Sequence, residues 1–231
     1  MSIDKNLIAL FNEKKYREFI FQAEAAHIKN PKDIDLIVLI AISFAECSDL
    51  EKAKNFITKG YQLNRTNENV LYNFAKISEE LSDDKKAEDL YGHLLKINPT
   101  RIDALNNLAR IKLKHKAYDN AEYLFKKCLH ISSKAKLAYQ GLADLYNQTD
   151  QRTKELEILK LSYENDKNDH EVILTYCSSL IKNNQIEYAR SIIDSSYERL
   201  RDNADFILLR ANLDLKLGDL RSVRKSLDNV L

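Results

Sequence analysis

Apolar residues along this 231-residue chain recur at helical spacing in short segments, and brief polar stretches interrupt them. Residues 106–129, NNLARIKLKHKAYDNAEYLFKKCL, hold two such segments. Each places an alanine, Ala109 or Ala121, where a larger hydrophobe would bury more surface. The same choice returns along the chain at a fixed step. Stepping by 34 from Ala109 gives Ala41, Ala75, Ala109, Ala143, Cys177 and Ala211. Stepping from Ala121 gives Ala53, Ala87, Ala121, Glu155, Ala189 and Val223.

Bulky residues follow the same step. Ile37, Leu71, Leu105, Tyr139, Ile173 and Ile207 form one series, and Ile57, Tyr91, Phe125, Leu159, Ile193 and Leu227 another. Pro31 and Pro99 lie two steps apart. No insertion or deletion interrupts the period. Polar punctuation agrees with helices of this length. Asp33, Asn67, Asp169 and Asn203 each precede an apolar-periodic segment, where a short side chain can cap free backbone N–H groups. Ser48-Asp49, Ser82-Asp83, Asn184-Gln185 and Gly218-Asp219 divide one helix from the next.

These residues resemble the tetratricopeptide repeat (TPR) family, whose unit is a 34-residue helix–turn–helix. The family signature is small residues at positions 8 and 20, bulky ones at 4, 7 and 24, and proline at 32. The resemblance covers essentially the whole chain. It implies an all-α, right-handed TPR superhelix, an α-solenoid of about seven repeats with the last incomplete. The expected motifs are approximately 1–33, 34–67, 68–101, 102–135, 136–169, 170–203 and 204–231, forming one solenoid across residues 1–231. Positions 8 and 20 are then where helices A and B of one repeat cross, so a small side chain lets the backbones approach.

Three departures from the signature weaken particular joints. Position 20 is Phe19 in the first motif and Glu155 in the fifth, and position 7 is Arg210 in the last. Around Glu155 the stretch 147–157 is polar, and a slip of one residue would put Leu156 inside instead. Looser packing is expected there. Val223, Leu227 and Val230 are expected to form a bare apolar end, covered by further sequence or by another chain.

Composition adds mainly exclusions. Four glycines and two prolines leave few residues for hairpin turns. Thirty-six basic against 35 acidic residues imply no strong attraction to nucleic acid or to a membrane surface. The longest greasy run, IDLIVLIAISFA at 34–45, is too short to span a bilayer, and the first residues lack a secretory pattern. Cys47, Cys128 and Cys177 form no C-x-x-C pair and suit a reducing compartment, so the expected location is cytoplasmic. The five histidines show no metal-ligand spacing, and phosphate-cradling or nucleophile-elbow motifs do not occur. Neither an enzyme, a cofactor nor a metal site is expected. The pairs Glu79-Glu80 and Asp83-Asp84 read as solvated surface.

The resemblance implies that motif positions 2, 5, 6, 9, 12 and 13 face a concave groove. A carboxylate clamp of the co-chaperone type requires a cation at position 5, and this chain has Val38, Tyr72, Asn106, Gln140, Leu174 and Leu208 there. That mode is excluded. An asparagine ladder at position 6 is matched by Asn73 and Asn107 but not by Leu39, Gly141, Thr175 or Leu209. The expected partner-binding residues are Tyr72, Asn73, Lys76, Asn106, Asn107, Arg110, Lys114, Gln140 and Asp144, combining an aromatic, amides and cations suited to an acidic peptide. Val38, Leu39 and Ile42 form an expected apolar contact patch.

The function that this pattern implies is a non-catalytic protein–protein interaction scaffold that binds a peptide or helix. Two other readings stay open at the level of sequence. One is the N-terminal arm of a larger glycosyltransferase-type or sulfotransferase-type enzyme. The other is a homo-oligomerisation module that uses the apolar patch.

Overall fold

A computed structural model describes residues 3–227, with side chains through Arg224. The described residues are helical hairpins and fall into two compact units, 1–124 and 125–231. In the first, α1 (Lys5–Asn12) packs on α2 (Tyr16–Lys29), α3 (Ile34–Glu46) on α4 (Leu50–Leu63), and α5 (Glu68–Glu80) on α6 (Asp84–Ile97). Helix α7 (Ile102–Lys114) lies against α6, and α8 (Tyr118–Ile131) contains the boundary between the units. In the second unit, α9 (Lys136–Gln148) packs on α10 (Arg152–Asn165), α11 (His170–Lys182) on α12 (Ile186–Leu200), and α13 (Ala204–Lys216) on α14 (Leu220–Leu227).

The first helices of successive pairs begin at 34, 68, 102, 136, 170 and 204, and the second helices at 50, 84, 118, 152, 186 and 220. The period of 34 is thus kept without slippage. Small residues meet where expected: Ala41 and Ala53, Ala75 and Ala87, and Ala109 and Ala121 are all sealed from solvent. Around them, Ile37, Leu71 and Leu105 from the first helices and Ile57 and Tyr91 from the second are equally buried. In the second unit Tyr139, Leu159, Ile173 and Ile193 hold the equivalent places. At the N-terminal pair, Leu7 and Phe19 occupy the crossing, with Phe11 edge-on to Phe19 at 5.5 Å. At the far end Arg210 lays its guanidinium over the Tyr197 ring, 4.3 Å from the centroid. Val223 is half-buried, while the side chain of Leu227 and all of Val230 lie outside the described residues.

The expected caps form. The side chains of Asp33, Asn67, Asp169 and Asn203 each accept a backbone N–H from the first turn of α3, α5, α11 or α13. Asp4, Asp49, Asp83 and Asp219 do the same for α1, α4, α6 and α14. Helices α7 and α9, which begin after Arg101 and Ala135, have no side-chain cap.

The turn inside each hairpin uses one repeated device. Lys14, Ser48, Ser82, Lys116, Asp150, Asn184 and Gly218 all have φ between 53° and 77°, one per repeat and 34 residues apart. In the third repeat Ser82 N–H donates to Glu79 O at 2.8 Å, and Asp83 N–H reaches back to Ser78 O at 2.8 Å. These two bonds close the helix end and leave Asp83 placed to cap the next helix. A left-handed residue is required at each turn, yet only one of the seven is glycine.

Glu155 settles the register of the fifth repeat. It is 7% exposed, whereas Leu156 is half-buried. No slip occurs, and a carboxylate occupies the crossing. Ser179 Oγ donates to Glu155 Oε1 at 3.4 Å, and Glu155 Oε2 has no hydrogen-bond partner. Nearby, a Cβ at Gly141 would fall 2.2 Å from the Phe125 ring, so no side chain fits at that position.

Two stability measurements follow. A left-handed conformation costs a non-glycine residue about 1–2 kcal/mol, against about 0.5–1 kcal/mol of extra unfolded-state entropy for glycine. Ser82→Gly is therefore expected to stabilise by up to about 1 kcal/mol, and Gly218→Ala to destabilise by a similar amount, in urea denaturation. Opposite signs would show that Ser82 is held by contacts outweighing the strain. Glu155→Ala removes a buried carboxylate with one unmatched oxygen, so a gain of about 1 kcal/mol, or about 2–4 °C in Tm, is expected. A fall in Tm instead would make the Ser179 bond an anchor of the joint.

Candidate functional site

The first unit contains an open cleft of about 500 Å³ lined by Tyr72, Lys76, Glu79, Glu80, Asp84, Asn107, Arg110, Ile111 and Lys114. Helices α5 and α7 supply its two walls, and Asp84 comes from the first turn of α6. Residues four apart lie on one helix face, which is why Lys76 and Glu80 share a wall on α5, and Arg110 and Lys114 share one on α7.

A polar network fixes the floor. Tyr91 on α6 is sealed from solvent, and burial of a hydroxyl requires a hydrogen-bond partner. Its Oη donates to Glu79 Oε1 at 2.6 Å and accepts from Asn107 Nδ2 at 2.9 Å. The same Nδ2 reaches Tyr72 Oη at 3.4 Å. Burial, followed by the hydrogen bond to Glu79 and then by its charge, pushes the Tyr91 hydroxyl far above its usual pKa, so it stays a proton donor. Arg101 stands over the Tyr72 ring at 5.0 Å and bonds Asp103 at 3.0 Å and Glu68 at 3.2 Å, bracing α5 against α7.

One edge of the cleft is neutralised internally. Asp84 Oδ2 receives His115 Nε2 at 2.8 Å and Lys114 Nζ at 2.5 Å. These hydrogen bonds, His115 first and Lys114 second, hold the Asp84 carboxyl below its ordinary range. Lys112 is likewise paired, with Glu88. Lys76 and Arg110, by contrast, are exposed and have no ion-pair partner among the described residues.

The structure brings five of the expected groove residues together in the cleft lining, Tyr72, Lys76, Asn107, Arg110 and Lys114, while Asn73 is half-buried on α5 outside that lining. Asn73 uses its Nδ2 on its own helix, donating to Asn69 O at 2.8 Å. Asn106 departs from expectation. It is 3% exposed and its Oδ1 has no partner, so it is a buried polar residue rather than part of an open surface. Gln140 and Asp144 belong to the second unit. There Gln140 Nε2 donates to Glu171 Oε1 at 2.9 Å, and Asp144 keeps solvent contact although surrounding protein displaces enough water to raise its carboxyl pKa.

The apolar patch is corrected in the same way. Val38 is 5% exposed and sits in the core with Leu36 and Ile40, while Leu39 and Ile42 are half-buried against that core. A helix containing ILIVLIAI-like density has more than one buried face, so its inward positions are packing residues. Truly exposed apolar side chains lie elsewhere in the unit, at Phe21 (82% exposed) and Ile28 (80%) on α2.

Glu79 and Glu80, at the groove-facing positions 12 and 13, line the cleft together with Asp84 and make it mixed in charge rather than cationic. The signal was available in part: Glu79, Tyr91 and Asn107 fall on facing helices once the period is known.

Among the described residues no group of three His, Cys, Asp or Glu side chains could hold a metal, and no helix is long and apolar enough to cross a membrane. Burial pushes the thiols of Cys128 and Cys177 up to about 11 and about 12, which leaves them poor nucleophiles.

The network can be tested by stability. Tyr91→Phe keeps the ring but removes the bond to Glu79 and the acceptor for Asn107, so a loss of about 2 kcal/mol is expected in denaturant melts. Tyr123→Phe, at an exposed position, should change stability by less than about 0.5 kcal/mol. Equal stability of the two variants would show that water replaces the Tyr91 hydroxyl.

The fold has solved counterparts. The chain matches the C-terminal part of a TPR repeat-containing protein from Cytophaga hutchinsonii with a TM-score of 0.75 at 14% identity, covering 98% of this chain and 93% of that one. It matches a tetratricopeptide repeat protein from Parabacteroides merdae with a TM-score of 0.71 at 19% identity, covering 96% and 88%. YrrB, described as a TPR protein with an unusual peptide-binding site, matches with a TM-score of 0.56 at 18% identity, covering 75% and 89%. No family model matches the chain, and no curated protein matches it in sequence. At these identities the likeness is one of architecture: the chain has the all-α tetratricopeptide-repeat fold.

Proposed function

We propose that this chain is a non-catalytic interaction scaffold and that the first-unit cleft receives a partner peptide or helix. The observation that carries this reading is the contrast in commitment among the cleft's charges. Tyr91, Glu79 and Asn107 are tied into the scaffold, and Lys114 is paired, while Lys76 and Arg110 stand exposed beside them with no ion-pair partner among the described residues. A rigid floor with free cations above it can bind an acidic segment without first breaking an internal ion pair. The peptide-binding site of the similarly folded YrrB supports the same class of role. The protein is read as cytoplasmic, with a protein partner rather than nucleic acid or membrane.

A second reading, self-association, is favoured by Phe21 and Ile28, two exposed apolar residues seven apart on one face of α2. The two readings separate in one experiment. The intact chain is immobilised and its captured proteins are compared with those held by Lys76→Glu/Arg110→Glu and by Phe21→Ser/Ile28→Ser. The cleft variant is expected to lose its main partner at least about tenfold, with the wild-type interaction weakening as salt rises. The α2 variant is expected to keep it. Wild-type capture by the cleft variant would reject the cleft as the binding surface, and loss of self-association by the α2 variant in light scattering would establish the second reading.

A further inference from the structure

The cleft's free charges are arranged in an order with a definite spacing. Lys76 and Arg110 hold equivalent places on α5 and α7, 34 residues apart. One turn further along each helix come Glu80 and Lys114. Lys114 is neutralised by Asp84, whereas Glu80 has no ion-pair partner among the described residues. Charge without an ion-pair partner among the described residues therefore runs from positive, at Lys76 and Arg110, to negative, at Glu80 and at Glu79, which is held only by the neutral Tyr91 hydroxyl. Lys76 and Glu80 do not pair with each other, in keeping with the weaker order of a cation N-terminal to an acid at this spacing.

The amides add polarity of their own. Asn73 spends its Nδ2 on Asn69 O, and Asn107 spends its Nδ2 on the Tyr91 and Tyr72 hydroxyls. Asn107, which lines the cleft, thus has its carbonyl oxygen left to accept from a ligand.

We infer that the cleft recognises an extended peptide segment in which an acidic and a basic residue stand two places apart. The inference rests on the cleft being the binding surface. The acid lies between Lys76 and Arg110, the base meets Glu80, and the intervening backbone N–H is met by the Asn107 carbonyl. The spacing decides the motif. Four helical residues rise about 6 Å. In an extended segment, residues two apart point to the same side and are separated by about 6.6 Å, while adjacent residues point to opposite sides. A segment with its acid and base two places apart therefore fits both charges at once, and an adjacent acid–base pair can satisfy only one.

Fluorescence anisotropy of the intact chain at low ionic strength tests this, with labelled Ser/Thr-rich peptides that differ only at their centre: Asp-Thr-Arg, Asp-Thr-Thr, Thr-Thr-Arg and Asp-Arg-Thr. Asp-Thr-Arg is expected to bind roughly tenfold more tightly than each of the others. Glu80→Gln should make Asp-Thr-Arg and Asp-Thr-Thr equal, and Lys76→Gln/Arg110→Gln should make Asp-Thr-Arg and Thr-Thr-Arg equal. Equal binding of Asp-Thr-Arg and Asp-Thr-Thr by the wild-type chain, insensitivity to Glu80→Gln, or no measurable binding of Asp-Thr-Arg would each overturn the inference. Loss of the captured natural partner by Lys76→Glu/Arg110→Glu would still uphold the cleft itself, so the two failures are distinguishable. All three side chains are surface groups, and circular dichroism of the variants confirms that they fold.

Discussion

The closeness of two helices at a pair of alanines is the constraint from which the rest of this molecule follows. Ala41 and Ala53, or Ala75 and Ala87, bury little area themselves, but they bring backbones near enough for Ile37, Ile57, Leu71 and Tyr91 to close around them. A larger residue at the crossing would push the helices apart and uncover every neighbour. The left-handed turn residue serves the same end. It reverses the chain within about three residues, so the second helix starts at a fixed place and the crossing recurs in register. Six of the seven turns keep a non-glycine residue there, a local strain that the packing on both sides holds in place.

This explains what could be read before any coordinates. Helix starts, caps and crossing residues depend on neighbours within one repeat, and one repeat is written out seven times in the sequence. What failed to read were properties set by a residue's full surroundings. Asn106 occupies a motif position that the family resemblance turns toward the groove, yet it is buried, because solvent access depends on what stands above a position as well as on its place in the motif. Val38 failed for the related reason that α3 is apolar on most of its circumference and is packed on most of it. Glu155 shows the opposite case. The period holds it at the crossing even though its chemistry is wrong for the place, so register in this fold outweighs the preference of a single side chain.

The same order of strengths decides where binding can occur. Tyr91 stands where other repeats have Ile57, Phe125 or Leu159, so its ring belongs to the period and only its hydroxyl is unusual. That hydroxyl, once buried, demands an acceptor, and Glu79 provides it at 2.6 Å while Asn107 completes the set. A single oxygen atom in the core thus dictates the orientation of two side chains on the cleft wall. Glu79 and Asn107 cannot turn toward a ligand without leaving the tyrosine unsatisfied, a loss of roughly 1–3 kcal/mol that a weakly held peptide would not repay. The groups that the core does not claim on these walls are Lys76, Arg110 and Glu80, all three exposed. At Gly141 the packing leaves no choice of side chain, since the ring of Phe125 lies where a Cβ would be. The scaffold's own packing, repeat by repeat, selects which surface residues remain free to bind.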